Sequence, residues 1–393
     1  MTDLQQHFGA ALPEIRGWRR AFHADPELSL GTARTAARIA ELLGSFGCDA
    51  IFRDVGENAV VGVIRGKEGP GVIGLRADTD ALPMQEQNGF GHASATPGRM
   101  HACGHDGHTA MLLGAARHLA AERSFPGTVV LIFQPGEEDA TGSRAMIEAG
   151  LMERFGIQEV YSMHNWPGIE AGSFAIRQGP FFASTDHFDI VVTGRGGHGA
   201  KPHYTIDPVA AACDLVGSLQ MIVSRNADPT LQAVISVTSF ETSSTAYNII
   251  PDQVHLRGTA RTLDGGQQDM IERRMREVCE GAARQSGAEI AFDYRRKNPV
   301  VRNAPAQTEA ARQAARAVSG GCAEAGYNLG GDDFAFMLEE RPGAYILIGN
   351  GPSAAVHNPL YDFNDDIIPA GCAWWVALAS ERLAALAGAP EAV

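Results

Sequence analysis

No two of the six cysteines in this 393-residue chain form a CxxC pair. Cys48, Cys103, Cys213, Cys279, Cys322 and Cys372 are scattered, which excludes a short-spaced disulfide framework and fits a reducing cytoplasm. No apolar stretch reaches the roughly 20 residues that a membrane-spanning helix needs. The opening Met1-Thr2-Asp3-Leu4-Gln5-Gln6-His7 lacks a basic segment followed by an apolar one, so no signal peptide is expected. Positive charge is scarce too: 32 Lys and Arg stand against 46 Asp and Glu, a formal net charge of −14. That argues against nucleic acid or an anionic membrane as the main partner. An anionic substrate stays open, because a few arginines or metal ions reverse the sign inside a cleft.

The length suits two domains, and the high glycine content suits a loop-rich α/β enzyme. Helical periodicity covers about 3–23 and 32–46. Gly71–Leu75 is a short apolar run ending in Arg76-Ala77-Asp78-Thr79-Asp80. A helix is expected from about Thr109 to Glu122. Strand-like runs at Thr128–Phe133 and Glu159–Met163 each precede a candidate motif. Helix and strand alternate, which predicts a parallel or mixed sheet covered by helices, with ligands beyond the strands' carboxyl ends. From Phe188 the order becomes β-α-β-β-α-β, the ferredoxin-like arrangement. The alternation resumes after Asn298 and ends in a helix, Ile368–Ala387, that reads as amphipathic with Glu381 and Arg382 on its polar side. The expected division is a discontinuous domain of 1–183 and 298–393 with an inserted unit at 184–297.

Cys103 and His105, in Met100-His101-Ala102-Cys103-Gly104-His105-Asp106-Gly107-His108, are good ligands for zinc, manganese or nickel. On extended backbone their side chains point the same way, and Gly104 lets the backbone approach a metal. His101 and His108 need not both be ligands: one or both read as partners that orient a ligating imidazole. Glu137 and Glu138 follow a Pro-Gly turn. As extended neighbours they point apart, so one can hold metal while the other serves as general base. His164 and His357 each precede a proline-containing turn. Cys103, His105, Glu138, His164 and His357 are too many for one catalytic zinc and suit two metals about 3.5–4 Å apart, with Cys103 as the bridge. His198, in Gly196-Gly197-His198-Gly199, reads either as a turn histidine or as an oxyanion stabiliser. Asn248 and Arg261 are candidate clamps for a carboxylate. Gly330, in the run Asn328–Phe334, and Phe181 or Phe182 are candidate pocket walls.

These motifs together resemble the amidohydrolase branch of the dinuclear metallopeptidases, the branch of hippurate hydrolases and auxin-conjugate hydrolases. The resemblance runs from His23-Ala24-Asp25-Pro26-Glu27-Leu28 to Tyr361-Asp362-Phe363-Asn364-Asp365. It implies a zinc-peptidase-like catalytic domain and an inserted lid through which two chains dimerise. It implies Glu137 as the base, the five ligands on two divalent ions, and His198 reaching the partner subunit's site. A His-x-Asp ligand motif is replaced here by Arg76-Ala77-Asp78, which makes Asp78 an outer residue, and a bridging acid is replaced by Cys103. The implied reaction is hydrolysis of an N-acyl amino acid. A dipeptidase or N-carbamoyl-amino-acid hydrolase is the alternative, and an inactive binding protein on the same fold a remote one.

Overall fold

A computed structural model describes residues 3–388. The chain forms two compact units. Among the described residues, one comprises 3–179, 302–326 and 332–388, and the other 180–301 and 327–331. Nothing in the sequence pattern marks the return of Tyr327–Gly331 to the second unit.

The first unit is built on an eight-stranded mixed sheet. Its order is Ala50–Phe52, Val60–Arg65, Pro126–Gln134, Lys67–Asp78, Glu159–Pro167, Gly343–Gly351, Phe174–Ile176 and Ala323–Glu324. Pro126–Gln134, Lys67–Asp78, Glu159–Pro167 and Gly343–Gly351 run parallel. Their interiors, such as Val129–Phe133 and Ala344–Ile348, are continuous apolar runs buried on both faces, as a covered parallel sheet requires. Helix α1 (Asp3–Ala24) buries Phe8, Ile15, Trp18 and Phe22, a stripe at helical spacing. Helix α2 (Ala33–Ser45) buries Ala36, Ile39 and Leu43 in the same way.

Helix α3 (His105–Glu122) departs from expectation. It starts at His105 rather than near Thr109, and every residue from His105 to Ala116 is buried. Small residues permit this. A Cβ on Gly107 would stand 2.1 Å from the Phe363 ring. The C-terminal helix, Ile368–Gly388, is also not amphipathic in its first half. Gly371–Ala379 is buried throughout, including Trp374 and Trp375, and exposed residues appear only in its last turns. Arg382 points back to pair with the buried Glu159 at 2.5 Å.

The second unit contains a four-stranded antiparallel sheet in the order Ala233–Thr242, Gln253–Thr262, Ser184–Thr193, Glu289–Asn298. In chain order this is 2-3-1-4, the ferredoxin-like topology. Helices Pro208–Met221 and Gly265–Ser286 pack their apolar sides with Phe188, Ile190, Val192, Val254 and Leu256 in a separate core. Asp207 and Asp264 cap these two helices, each accepting from backbone N–H groups of the first turn. No helix among the described residues is long and apolar enough to cross a membrane.

Candidate metal centre and the family of the chain

Four segments of the first unit converge. Gly104 lies in the left-handed region at φ 92° and caps α3. Cys103 and His105 are therefore not on extended backbone, as expected from their spacing, but on either side of a sharp entry into a helix. The turn brings them together anyway: ligand atoms of Cys103, His105 and His164 lie within 4.8 Å of one another. His164 stands inside the strand Glu159–Pro167 rather than after it. Its Nδ1 lies 2.6 Å from the Asn165 carbonyl, to which it donates, leaving the Nε2 lone pair 3.3 Å from Cys103 Sγ. His105 Nδ1 likewise donates to the Asp80 carbonyl at 2.9 Å and turns Nε2 to the site. Such bonds fix the tautomer a metal needs.

Glu137 and Glu138 also differ from the extended pair expected. They open a turn after Gly136, and the Asp80 carboxylate accepts from both of their backbone N–H groups at 3.1 and 3.3 Å. The two side chains still separate. Glu138 groups with Cys103 and His357, whereas Glu137 groups with Asp332 and Asp333, and both reach His105. His357 is held at φ 63°, a strained conformation for a residue with a Cβ. Its N–H donates to the Ala102 carbonyl at 2.8 Å, which ties the C-terminal segment to the residue before Cys103. Cys103 thus belongs to two triplets, one with His105 and His164 and one with Glu138 and His357.

The electrostatics are those of crowded anions. Burial pushes the Glu137 carboxyl well above the usual range, and Asp332 and Glu138 add to it. Burial raises Glu138 to about 7, against the pull of His105. The Cys103 thiol is also raised, by burial and then Glu138. Burial works against the His105 imidazolium, but Asp78 and Cys103 outweigh it and raise its pKa. Burial and His108 lower that of His164.

An outer layer braces these groups. The fully buried Arg76 donates to Asp78 at 2.7 Å, Asp333 at 2.9 Å and Gln134 at 2.9 Å. Asp333 accepts in addition from Gln134 and from the Ser143 N–H, on either side of the Glu137–Glu138 turn. His108 Nδ1 donates to Asp78 at 2.6 Å, and its Nε2 lies 2.7 Å from Asn165 Oδ1 and 3.0 Å from the Asn165 backbone nitrogen. Asn165 donates to the buried Tyr361 hydroxyl at 2.5 Å. Asp78 stands 3.9 Å from His105 Nε2. Asp80, Asp332, Asp333, Asn165 and Tyr361 were not singled out from sequence. Asp80 carries a signal in the sequence as half of the acidic pair of Arg76–Asp80, and Asp332 and Asp333 lie in the run Asn328–Phe334. His101 is buried with neither ring nitrogen hydrogen-bonded, and burial lowers its pKa to about 3, so it is neutral.

The remaining candidates lie in the second unit. Gly197–His198 pairs with Ile249–Ile250 in a two-stranded ribbon, and the Gly199 N–H donates to the Asn248 carbonyl at 2.8 Å. The ribbon thus brings His198 and Asn248 together, both exposed. Arg261, half-buried on another strand, donates to Thr185 Oγ1 at 2.6 Å. Gly330 lies on the exposed loop 327–331, its N–H bonded to Asn328. Phe181 and Phe182 are buried against each other, edge to face.

The chain is 37% identical over 362 residues to the N-acetylcysteine deacetylase of Bacillus subtilis, covering 92% of this chain and 94% of that enzyme. It is 37% identical over 374 residues to the hippurate hydrolase of Campylobacter jejuni, covering 94% and 97%. Its fold matches the crystal structure of a Bacillus subtilis protein described as a dinuclear metal binding peptidase from the M20 family. The TM-score is 0.84 at 34% identity, over 96% of this chain and 99% of that one. Residues 74–381 match the profile of Peptidase family M20/M25/M40, and the chain belongs to that family.

Proposed function

We propose that this protein hydrolyses the amide bond of N-acyl amino acids, giving a carboxylic acid and a free amino acid, with two divalent cations per chain. The observation that carries the reading is the pair of ligand triplets that share Cys103. The donor set fits the cations: His105 Nε2 and Glu138 Oε1 are buried without a hydrogen-bond partner, 3.9 Å apart. Groups so buried need a partner, and a cation supplies one. Cys103, His105 and His164 would hold one ion, and Cys103, Glu138 and His357 the other. Divalent ions there would polarise the amide carbonyl and acidify water. The mixed sulfur, nitrogen and oxygen donors suit manganese, zinc or nickel.

Glu137, beside the ligands but grouped with Asp332 and Asp333, is the general base. Its carboxylate takes a proton from the attacking water as the oxygen bonds to the amide carbon. It passes that proton to the nitrogen as the carbon–nitrogen bond breaks. His198 of one chain steadies the oxyanion of the tetrahedral intermediate in the partner chain's site, and Asn248, Arg261 and Gly330 hold the substrate's carboxylate and backbone. Asp78 orients the ligands from outside. We further assign the second unit as a lid through which two chains dimerise. Its strand Ala233–Thr242 is ten residues long and at the sheet edge, with Phe240 41% exposed. Cys103 must stay reduced to ligate, which suits the cytoplasm; all six cysteines are unpaired.

The test is a panel of benzoyl-, acetyl- and carbamoyl-amino acids beside dipeptides, run on protein stripped with a chelator and reloaded with manganese, zinc, cobalt or nickel. Acyl amino acids should be turned over by reloaded protein alone. Full turnover by rigorously metal-free protein overturns the reading. Turnover confined to dipeptides or carbamoyl substrates selects the alternative activity.

A further inference from the structure

Helix α1 carries none of the proposed ligands, yet Arg19 and His23, one turn apart on it, are both fully buried. Charged groups are taken out of water only when they are paired. Arg19 Nε lies 2.8 Å from Asp106 Oδ2, and its Nη atoms lie 3.8 Å from Asp362 and 3.6 Å from Asp365. His23 Nδ1 is 2.8 Å from the same Asp106 oxygen, and its Nε2 is 3.1 Å from Glu86. Glu86 also accepts from the Ser94 N–H at 2.6 Å and from Asn88 at 3.1 Å. Asp106 directly follows His105, and Asp362 and Asp365 lie just downstream of His357. Two side chains of one helix face therefore grip two segments that carry proposed ligands. The His23-Ala24-Asp25-Pro26-Glu27-Leu28 run has no part in the chemistry derived above.

We propose that Arg19 and His23 are positioning residues for the Cys103–His105 pair, which they set by holding Asp106 and with it the first turn of α3. An ion pair from Arg19 and a hydrogen bond from His23 meet on one carboxylate oxygen and so hold that turn from two sides. Apolar residues of similar volume would serve stability as well or better. What the ion pairs add is a defined register of α3 against α1. The inference rests on Cys103 and His105 being ligands.

Cobalt(II) binding to stripped protein tests it, read by titration and by the sulfur-to-cobalt charge-transfer band that Cys103 would give. His23→Leu and Arg19→Met should weaken cobalt affinity about 10–100-fold, as loss of outer partners does elsewhere, and shift the band. His23→Gln, which keeps a donor for Asp106, should recover part of the loss. Glu159→Gln, at the far end of the strand that carries His164, destabilises the same unit and serves as control. It should leave cobalt affinity and the band unchanged. If His23→Leu and Arg19→Met do not fold, His23→Gln and Arg19→Lys are read by the same criteria. Folded variants with cobalt affinity within about twofold of wild type and an unshifted band overturn the proposal. So does an equal loss in Glu159→Gln. Wild-type protein that binds no cobalt overturns the ligand assignment, and this inference with it.

Discussion

Gly104→Ala perturbs the centre without touching a proposed ligand, and its cost can be worked from the structure. Gly104 sits at φ 92°, and a Cβ there would stand 2.1 Å from Asn165 Oδ1 and 2.7 Å from the Tyr361 hydroxyl. The left-handed backbone costs a residue with a Cβ about 1–2 kcal/mol. Overpacking of this kind adds about 1–3 kcal/mol. The sum is about 2–5 kcal/mol. Gly150 separates the two contributions, because it has φ 84° and nothing within 4 Å of its Cβ. Gly150→Ala should lose only the backbone part. The assay is urea unfolding of both variants with metal analysis of the native proteins. Gly104→Ala should be the less stable by the steric part. It should also bind metal more weakly, because Asn165 moves and His164 and His108 are bonded to it. Equal destabilisation of the two variants with full metal content in Gly104→Ala would refute the argument.

Glu159→Gln should cost about 3–5 kcal/mol, because it leaves the Arg382 charge in a half-buried place without its partner; chemical denaturation measures it. Burial alone would raise the Glu159 pKa, but hydrogen bonds from Arg382, Tyr161 and Gln307 lower it overall. The stability this contributes is present above the unfolded carboxyl pKa and is lost as pH falls through the folded one. The variant should therefore show a shallower loss of stability on acidification than wild type. His198→Ala should keep metal and lower the turnover number about 10²–10³-fold. If His198 serves the partner's site, mixing His198→Ala with Glu137→Gln subunits should restore part of the activity, and mixed dimers that stay inactive exclude sharing.

The elements with a strong period were legible in the sequence. The stripe Phe8, Ile15, Trp18, Phe22 marks α1, and the β-α-β-β-α-β order marks the ferredoxin-like unit. The five proposed ligands were legible because Cys, His and Glu carry their chemistry in their side chains wherever the chain takes them. What was misread was local backbone. Spacing alone takes Cys103 and His105 for an extended pair, whereas Gly104 at positive φ makes them the threshold of a helix. His164 reads as following a strand because its partner strand Gly343–Gly351, which extends the pairing past it, lies far along the chain. Nothing in the sequence says what Asp80, Asp332 and Asp333 face. Only the fold shows that Asp80 caps the Glu137–Glu138 turn and that Arg76 lies buried among Asp78, Asp332 and Asp333. The first half of the C-terminal helix reads as one face of an amphipathic helix, because burial on every side is a property of neighbours and not of period.

The division of labour between Glu137 and Glu138 is the centre of the account, and Glu137→Gln tests it most directly. Metal content and turnover are measured on the same preparation. The account predicts two divalent ions per chain, as in wild type, with turnover lowered at least about 10²–10⁴-fold. A Glu137→Gln protein that loses metal, or that keeps its metal and its turnover, contradicts it.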